Sequence, residues 1–258
     1  MSNLTKLTRV SLWLWSTLGV LSLVAVWQWM SHLYSPVFVP SPRETIVAMV
    51  GLLRAPENRT HVYSSFYRIL LSLTIMSVTS IALGVMSGFN PWIQQLLKPL
   101  KDILLAIPPV ALSLLVIFIF GVGTVQTVTI AVMLAFPLLY GAVLSAVRSV
   151  DRDMLEMLRA FEVGKTLQLR EAYLPAVLSA VMPSMVLAAG LTVRLMIMAE
   201  IIVGMGTGIG HALSLARVHM ATDDIFAWMI VMIVAVLTIE GGLLYLVKKY
   251  LLTWQAGR

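Results

Sequence analysis

DRDMLEMLRAFEVG, residues 151–164, followed by KTLQLREAYLP, residues 165–175, is a polar stretch set between two long apolar runs. At 100° per residue, Met154, Met157, Leu158 and Phe161 fall within one arc of a helix, and Glu156, Arg159 and Glu162 lie round the other side. Asp153 followed three residues later by Glu156 has the form of a capping box, and Gly164 suits the left-handed position just past a helix end. The stretch therefore reads as a short amphipathic helix, a turn, a second short helix and a return to an apolar span at Tyr173, Leu174 and Pro175. Nothing else in the sequence reads as a soluble domain that could cover the apolar arc, so the arc predicts a groove on a partner.

The rest of the chain agrees with a membrane setting. Of 258 residues, 59% are apolar and 12% charged, and the mean hydropathy is +0.93. A soluble domain of this length exposes more charge. The net charge of +6 is scattered between apolar runs rather than gathered on one face, which argues against nucleic acid as a partner. There is no cysteine, hence no disulfide framework and no thiolate chemistry.

Six spans are predicted. The first covers residues 10–30, with Trp13, Trp15, Trp27 and Trp29 near its ends, and lacks a small-residue cleavage site, so it is expected to be retained. Residues 31–59 carry Pro36, Pro40, Pro42 and Pro56, and 43–53 reads as a short interfacial helix with Ile46, Val47, Met49 and Val50 on its apolar side. A second span covers 61–86. A third covers 103–120, interrupted early by Pro108-Pro109, and a fourth covers 124–147 with a kink expected near Pro137. The fifth, 174–203, leads through a glycine-rich stretch, 204–224, to a sixth at 225–247. One transmembrane domain, 1–258, is expected: a first span and external segment over 1–60, a five-span core over 61–250, and a loop over 148–174.

Charge sets the expected orientation. With both termini inside, 12 of 18 Lys and Arg fall in cytoplasmic segments, among them Lys6, Arg9, Lys98, Lys101, Arg148, Arg152, Arg159, Lys165, Arg170, Lys248, Lys249 and Arg258. The 151–175 loop is then cytoplasmic.

The loop resembles the EAA loop of permease subunits in ATP-binding-cassette importers: Glu-Ala-Ala, three residues, Gly, nine residues, Ile-x-Leu-Pro. Anchored on Leu174-Pro175, the family's Glu falls on Glu156, its two alanines on Met157 and Leu158, its Gly on Glu162 and its Ile on Ala172. A glycine follows two residues late, at Gly164. Ala199-Glu200 closing the fifth span, then Gly208-Ile209-Gly210, then 221–228, resemble in their order the nitrate/sulfonate/taurine branch, as does Phe38-Val39-Pro40-Ser41-Pro42. The likeness runs through nearly the whole chain. It implies an all-α, six-span, type I importer permease in a bacterial cytoplasmic (inner) membrane. The family works as a pair, usually of two identical copies, with two ATPase subunits inside and a periplasmic or lipid-anchored substrate-binding protein outside. It also implies that Met154, Glu156, Met157, Leu158, Phe161 and Gly164 couple to the ATPases, although Glu156 could equally cap its own helix.

Other residues invite chemistry. Arg194, Glu200 and Glu240 are ionisable groups in or near the bilayer, which marks either a pathway or an interhelix ion pair. Arg194 and Glu200 lie six positions apart, on different helix faces, so each is expected to find its partner on another helix, in this subunit or in a second copy. Glu200 is the stronger functional candidate because it matches the family's Ala-Glu position. The alternate glycines of 204–210 lack the following Lys and the preceding strand of a phosphate loop, and read as a turn that lets helices approach. His32, His61, His211 and His219 have no metal-ligand spacing, and the methionines read as packing rather than soft-metal ligands. No cofactor and no enzymatic activity of the chain's own are expected. A stand-alone secondary carrier or channel is the rival reading, an intramembrane enzyme a weaker one.

Overall fold

The structure, a computed structural model, describes residues 2–35 and 37–255, and side chains over 14–245 and at 249, apart from those at 36, 152 and 180. Lys6, Arg9, Trp13, Pro36, Arg152, Lys248 and Arg258, which entered the readings above, have side chains outside this range. No strand occurs among the described residues. The helices are α1 (Ser2–Leu33), α2 (Pro42–Arg54), α3 (Pro56–Phe89), α4 (Pro91–Ala106), α5 (Pro109–Phe120), α6 (Thr124–Arg148), α7 (Arg152–Ala160), α8 (Lys165–Gln168), α9 (Leu174–Val203), α10 (Ile209–Val218) and α11 (Thr222–Gln255), with a π turn at Leu169–Tyr173 joining α8 to α9. Among the described residues five helical runs are long and apolar enough to cross a membrane, and α4 with α5 makes a sixth crossing if that bent pair counts as one.

The third span is broken at Pro108-Pro109, as expected, but its start differs: Ile103 belongs to α4, which meets α5 at 112° across Ile107 and Pro108. Pro109 has no N–H to continue the ladder, and Pro108 pushes Ile107 out of the helical region, to ψ 129°. α4 is an amphipathic helix in its own right. Asn90 caps it by accepting the Trp92 N–H, Pro91 occupies the first turn, and Trp92, Leu96, Leu100 and Ile103 form an exposed apolar stripe. Alone, α5 is about 18 Å long, short of the hydrocarbon thickness. Pro137, by contrast, sits inside α6 without dividing it.

The chain forms two compact units. One joins residues 1–59 to 212–231. In it Trp27 stacks on Phe226 at 5.6 Å and donates its indole N–H to the Pro40 carbonyl, and Thr222 donates to the Val37 carbonyl. The short helix expected over 43–53 is present as α2, with Ile46, Val47, Val50 and Leu53 exposed. Ser41 and Glu44 cap it reciprocally, and the Ser41 N–H and hydroxyl hold the Glu44 carboxyl below its usual range.

The other unit joins 60–211 to 232–258 and carries the principal core. α3 and α6 run parallel: Ser80 donates to the Phe136 carbonyl, Tyr140 to Ser87, and Gly84 and Gly88 lie against Val143 and Val147. α9 returns antiparallel along α6, with Ile130, Leu139 and Tyr140 buried on one side and Ala188, Ala189, Val193 and Met196 on the other. Lipid tails are as apolar as leucine, so burying such residues gains little from water exclusion within the bilayer. Close backbone approach at small residues and interhelical hydrogen bonds do that work instead. In α3 the buried Ser65, Ser80 and Ser87 supply the hydrogen bonds, and Gly84 and Gly88 the close approach.

Candidate functional site

At the start of α3 and the end of α9, a charged cluster is enclosed. Glu200 is wholly buried, and its Oε1 lies 2.7 Å from Nη1 of Arg68, itself 4% exposed. The Ser65 hydroxyl sits 2.7–2.8 Å from both carboxylate oxygens, and the Gly210 N–H donates to Oε2 at 2.9 Å. Arg68 uses its remaining donors on the Thr207 carbonyl, the Thr207 hydroxyl and, through Nε, the Thr124 hydroxyl. The Ile209 N–H donates to Ser65, and the Gly208 N–H to Nδ1 of His61, which therefore carries its proton on Nε2. Every charge in the cluster has an opposite charge and directed donors, the condition for a tolerable buried pair.

Gly208 and Gly210 owe their place to this carboxylate. Gly208 has φ +122°, and a Cβ there would lie 2.5 Å from the Glu200 carboxyl group; at Gly210 it would lie 2.5 Å from both the Glu200 Cβ and the Ile197 carbonyl. The segment is a close-approach turn, wrapped round Glu200. Sequence reasoning missed Ser65, Arg68 and Thr207 as its partners. The available signal was an arginine, three residues after a serine, inside the apolar 61–86 run.

Arg194 and Glu240 meet separately, on α9 and α11. Their closest approach is 3.6 Å, with the arginine side chain 59% exposed and the glutamate 26%. Glu240 fits because Gly190 leaves no side chain in its way. Arg194 lies about 14 Å along the helix from Val203, deep in a span. A guanidinium so exposed at that depth is expensive against lipid.

At the opposite end of α9, the 151–175 loop takes the expected helix–turn–helix course with different chemistry at its ends. Asp151, not Asp153, is the N-cap and accepts the Asp153 N–H, so the Asp153–Glu156 capping box is absent and exposed Glu156 does not cap α7. Gly164 has φ −58° and starts α8. The left-handed residue is Glu162, φ 55°. Val163 N–H to the Leu158 carbonyl and Glu162 N–H to the Arg159 carbonyl, both 2.9 Å, complete a Schellman turn there. Of the apolar arc, Phe161 is 77% and Met157 50% exposed, while Met154 and Leu158 are half-buried. Pro175 lacks the N–H that Glu171 would otherwise bond, which accounts for the widened π turn before α9.

Among the described residues no cluster of His, Asp or Glu could hold a metal. The profile of a family described as binding-protein-dependent transport system inner membrane component matches residues 80–247. A Bacillus subtilis protein named for aliphatic sulfonates transport is 26% identical, the match covering 90% of this chain and 84% of the relative. The taurine transport system permease protein of Escherichia coli is 24% identical over 90% and 87% of the two chains. An Escherichia coli permease also named for aliphatic sulfonates is 30% identical over 78% and 77%.

Proposed function

Because the chain belongs to the family of binding-protein-dependent transport system inner membrane components, in its sulfonate/taurine branch, we propose that it is the translocating permease subunit of an ATP-driven importer. Its termini and the 151–175 loop face the cytoplasm, two copies form the passage, two separate ATPase subunits bind the loops, and an external binding protein delivers the solute. The carrying observation is α7: a nine-residue helix beside a largely exposed Phe161 and half-exposed Met157. Helix-in-groove docking removes that apolar area from water. Met154, Leu158 and the turn at Glu162–Gly164 set the helix angle, and Glu156 stands on its polar side as a contact for the ATPase rim. ATP-driven closure of the ATPases then biases the pair between two arrangements, opening the passage alternately to each side.

Arg194 lines the passage, with Glu240 as its resting counter-ion, and the relatives' names support a small sulfonate as solute. Glu200 is a structural anchor in this reading, because both of its carboxylate oxygens accept hydrogen bonds inside the bundle. The test is uptake of radiolabelled alkanesulfonates by proteoliposomes holding permease, ATPase and binding protein. ATP-dependent uptake that Arg194→Ala reduces at least several-fold is expected. Uptake persisting without the ATPase would instead make the chain a carrier.

A further inference from the structure

A cavity of about 390 Å³ opens between the ends of α3 and α6, the π turn and the start of α9. Its walls are almost wholly apolar, among them Ile81, Phe89, Val147 and Leu174, and the lining residues that carry polar groups are Thr166, Arg170 and Tyr173. The polarity is ordered along the helices. Phe89 is the last residue of α3 and Ile81 lies two turns, about 12 Å, deeper along it. Thr166 and Arg170 lie in α8 and the π turn, at the end where α6 has also just ended. The Arg170 side chain is 77% exposed, and its Nε lies 3.9 Å from the Glu171 carboxylate. Arg148 and Lys165, both exposed and each one residue from a lining position, add positive charge against Glu162 and Glu171.

We propose that this groove holds one anionic phospholipid of the cytoplasmic leaflet. One acyl chain runs inward along Phe89 and Ile81, and the phosphate sits on Arg170 and Thr166. An apolar slot continuing into the bilayer below a basic rim fits a lipid better than a soluble anion, which would leave the slot unfilled, or a second protein, which would have to enter from within the membrane. The consequence is mechanical as well. α8 and the π turn form one wall, so the bound lipid braces the second half of the docking loop. The leaflet assignment rests on the orientation proposed above; the lipid's headgroup preference does not.

The experiment is native mass spectrometry of the detergent-purified full chain, titrated with phosphatidylglycerol and phosphatidylcholine of identical acyl chains. Phosphatidylglycerol is expected to bind about five-fold more tightly, and Arg170→Gln to remove that preference. Leu174→Trp, which fills the slot, should weaken both lipids. Arg170 is exposed, so its variant folds and decides the matter even if Leu174→Trp does not. Equal wild-type affinity for the two lipids, or an undiminished preference in Arg170→Gln, overturns the proposal. Displacement of bound phosphatidylglycerol by added ATPase subunits assigns the groove to a protein and overturns it too. An inverted topology would overturn the orientation while leaving the lipid preference intact.

Discussion

Arg68 and Glu200, 132 residues apart in sequence, meet at 2.7 Å with side chains 5% and 0% exposed, and together fasten the turn at 207–210 to the head of α3. Removing one partner strands a buried charge, at a cost of about 3–5 kcal/mol. Glu200→Met and Arg68→Met should each lower the thermal midpoint of the detergent-solubilised protein. The double variant Arg68→Met with Glu200→Met should lose less than the sum of the two, since no charge remains unpaired. Strict additivity would show that the pair does not act as a unit.

Glu162 holds a left-handed conformation that costs a residue with a Cβ roughly 1–2 kcal/mol. Glu162→Gly should relieve part of that strain and tighten the Schellman turn. About 1 kcal/mol of it corresponds to roughly five-fold slower tryptic cleavage at Arg159 and Lys165 if cleavage follows local opening. Faster cleavage would mean that the glycine's added freedom in the open state outweighs the relief.

Phe161 is largely solvent-exposed, so its truncation leaves the bundle intact. Burying it in an ATPase groove would contribute on the order of 2–3 kcal/mol. Phe161→Ala should weaken ATPase association or uncouple hydrolysis from uptake. Binding-protein affinity for solute, read by isothermal titration on that protein alone, should not move. Wild-type association and uptake would remove α7 as the docking element.

Single cysteines can be placed without background because the chain has none. Arg159→Cys, in α7, and Arg54→Cys, at the end of α2, should react with a membrane-impermeant maleimide from opposite sides of intact cells and inverted vesicles. Reaction of both from the outside would reverse the proposed orientation.

The spans were legible because a bilayer imposes a length and a composition that single residues cannot hide. Helices were expected over 61–86, 124–147, 174–203 and 225–247, and α3, α6, α9 and α11 cover them. The amphipathic loop was legible too, since its apolar arc repeats within three turns. Its ends were not. Asp151 and Asp153 are both competent N-caps, and only backbone geometry chose the first. Gly164 was the plausible left-handed residue by chemistry, yet the turn falls on Glu162, where the family pattern has its glycine, so register outweighed intrinsic preference. α4 was missed although Asn90-Pro91 and the apolar spacing of Trp92, Leu96, Leu100 and Ile103 marked it. Its last turn runs into the apolar α5, and hydropathy alone merges the two.

What the sequence determined by itself was local or bulk: hydropathy, helical period, charge asymmetry, and the breaks at Pro108 and Pro109. It also placed Arg194, Glu200 and Glu240 in apolar surroundings, where ionisable groups need partners. Which partners they take was decided by tertiary structure alone. Arg194 goes to α11 and Glu200 to α3 because helix rotation and crossing, set by small residues such as Gly84, Gly88 and Gly190, bring those faces together. A buried carboxylate states its need for a cation in the sequence; the cation's address depends on contacts made more than a hundred residues away.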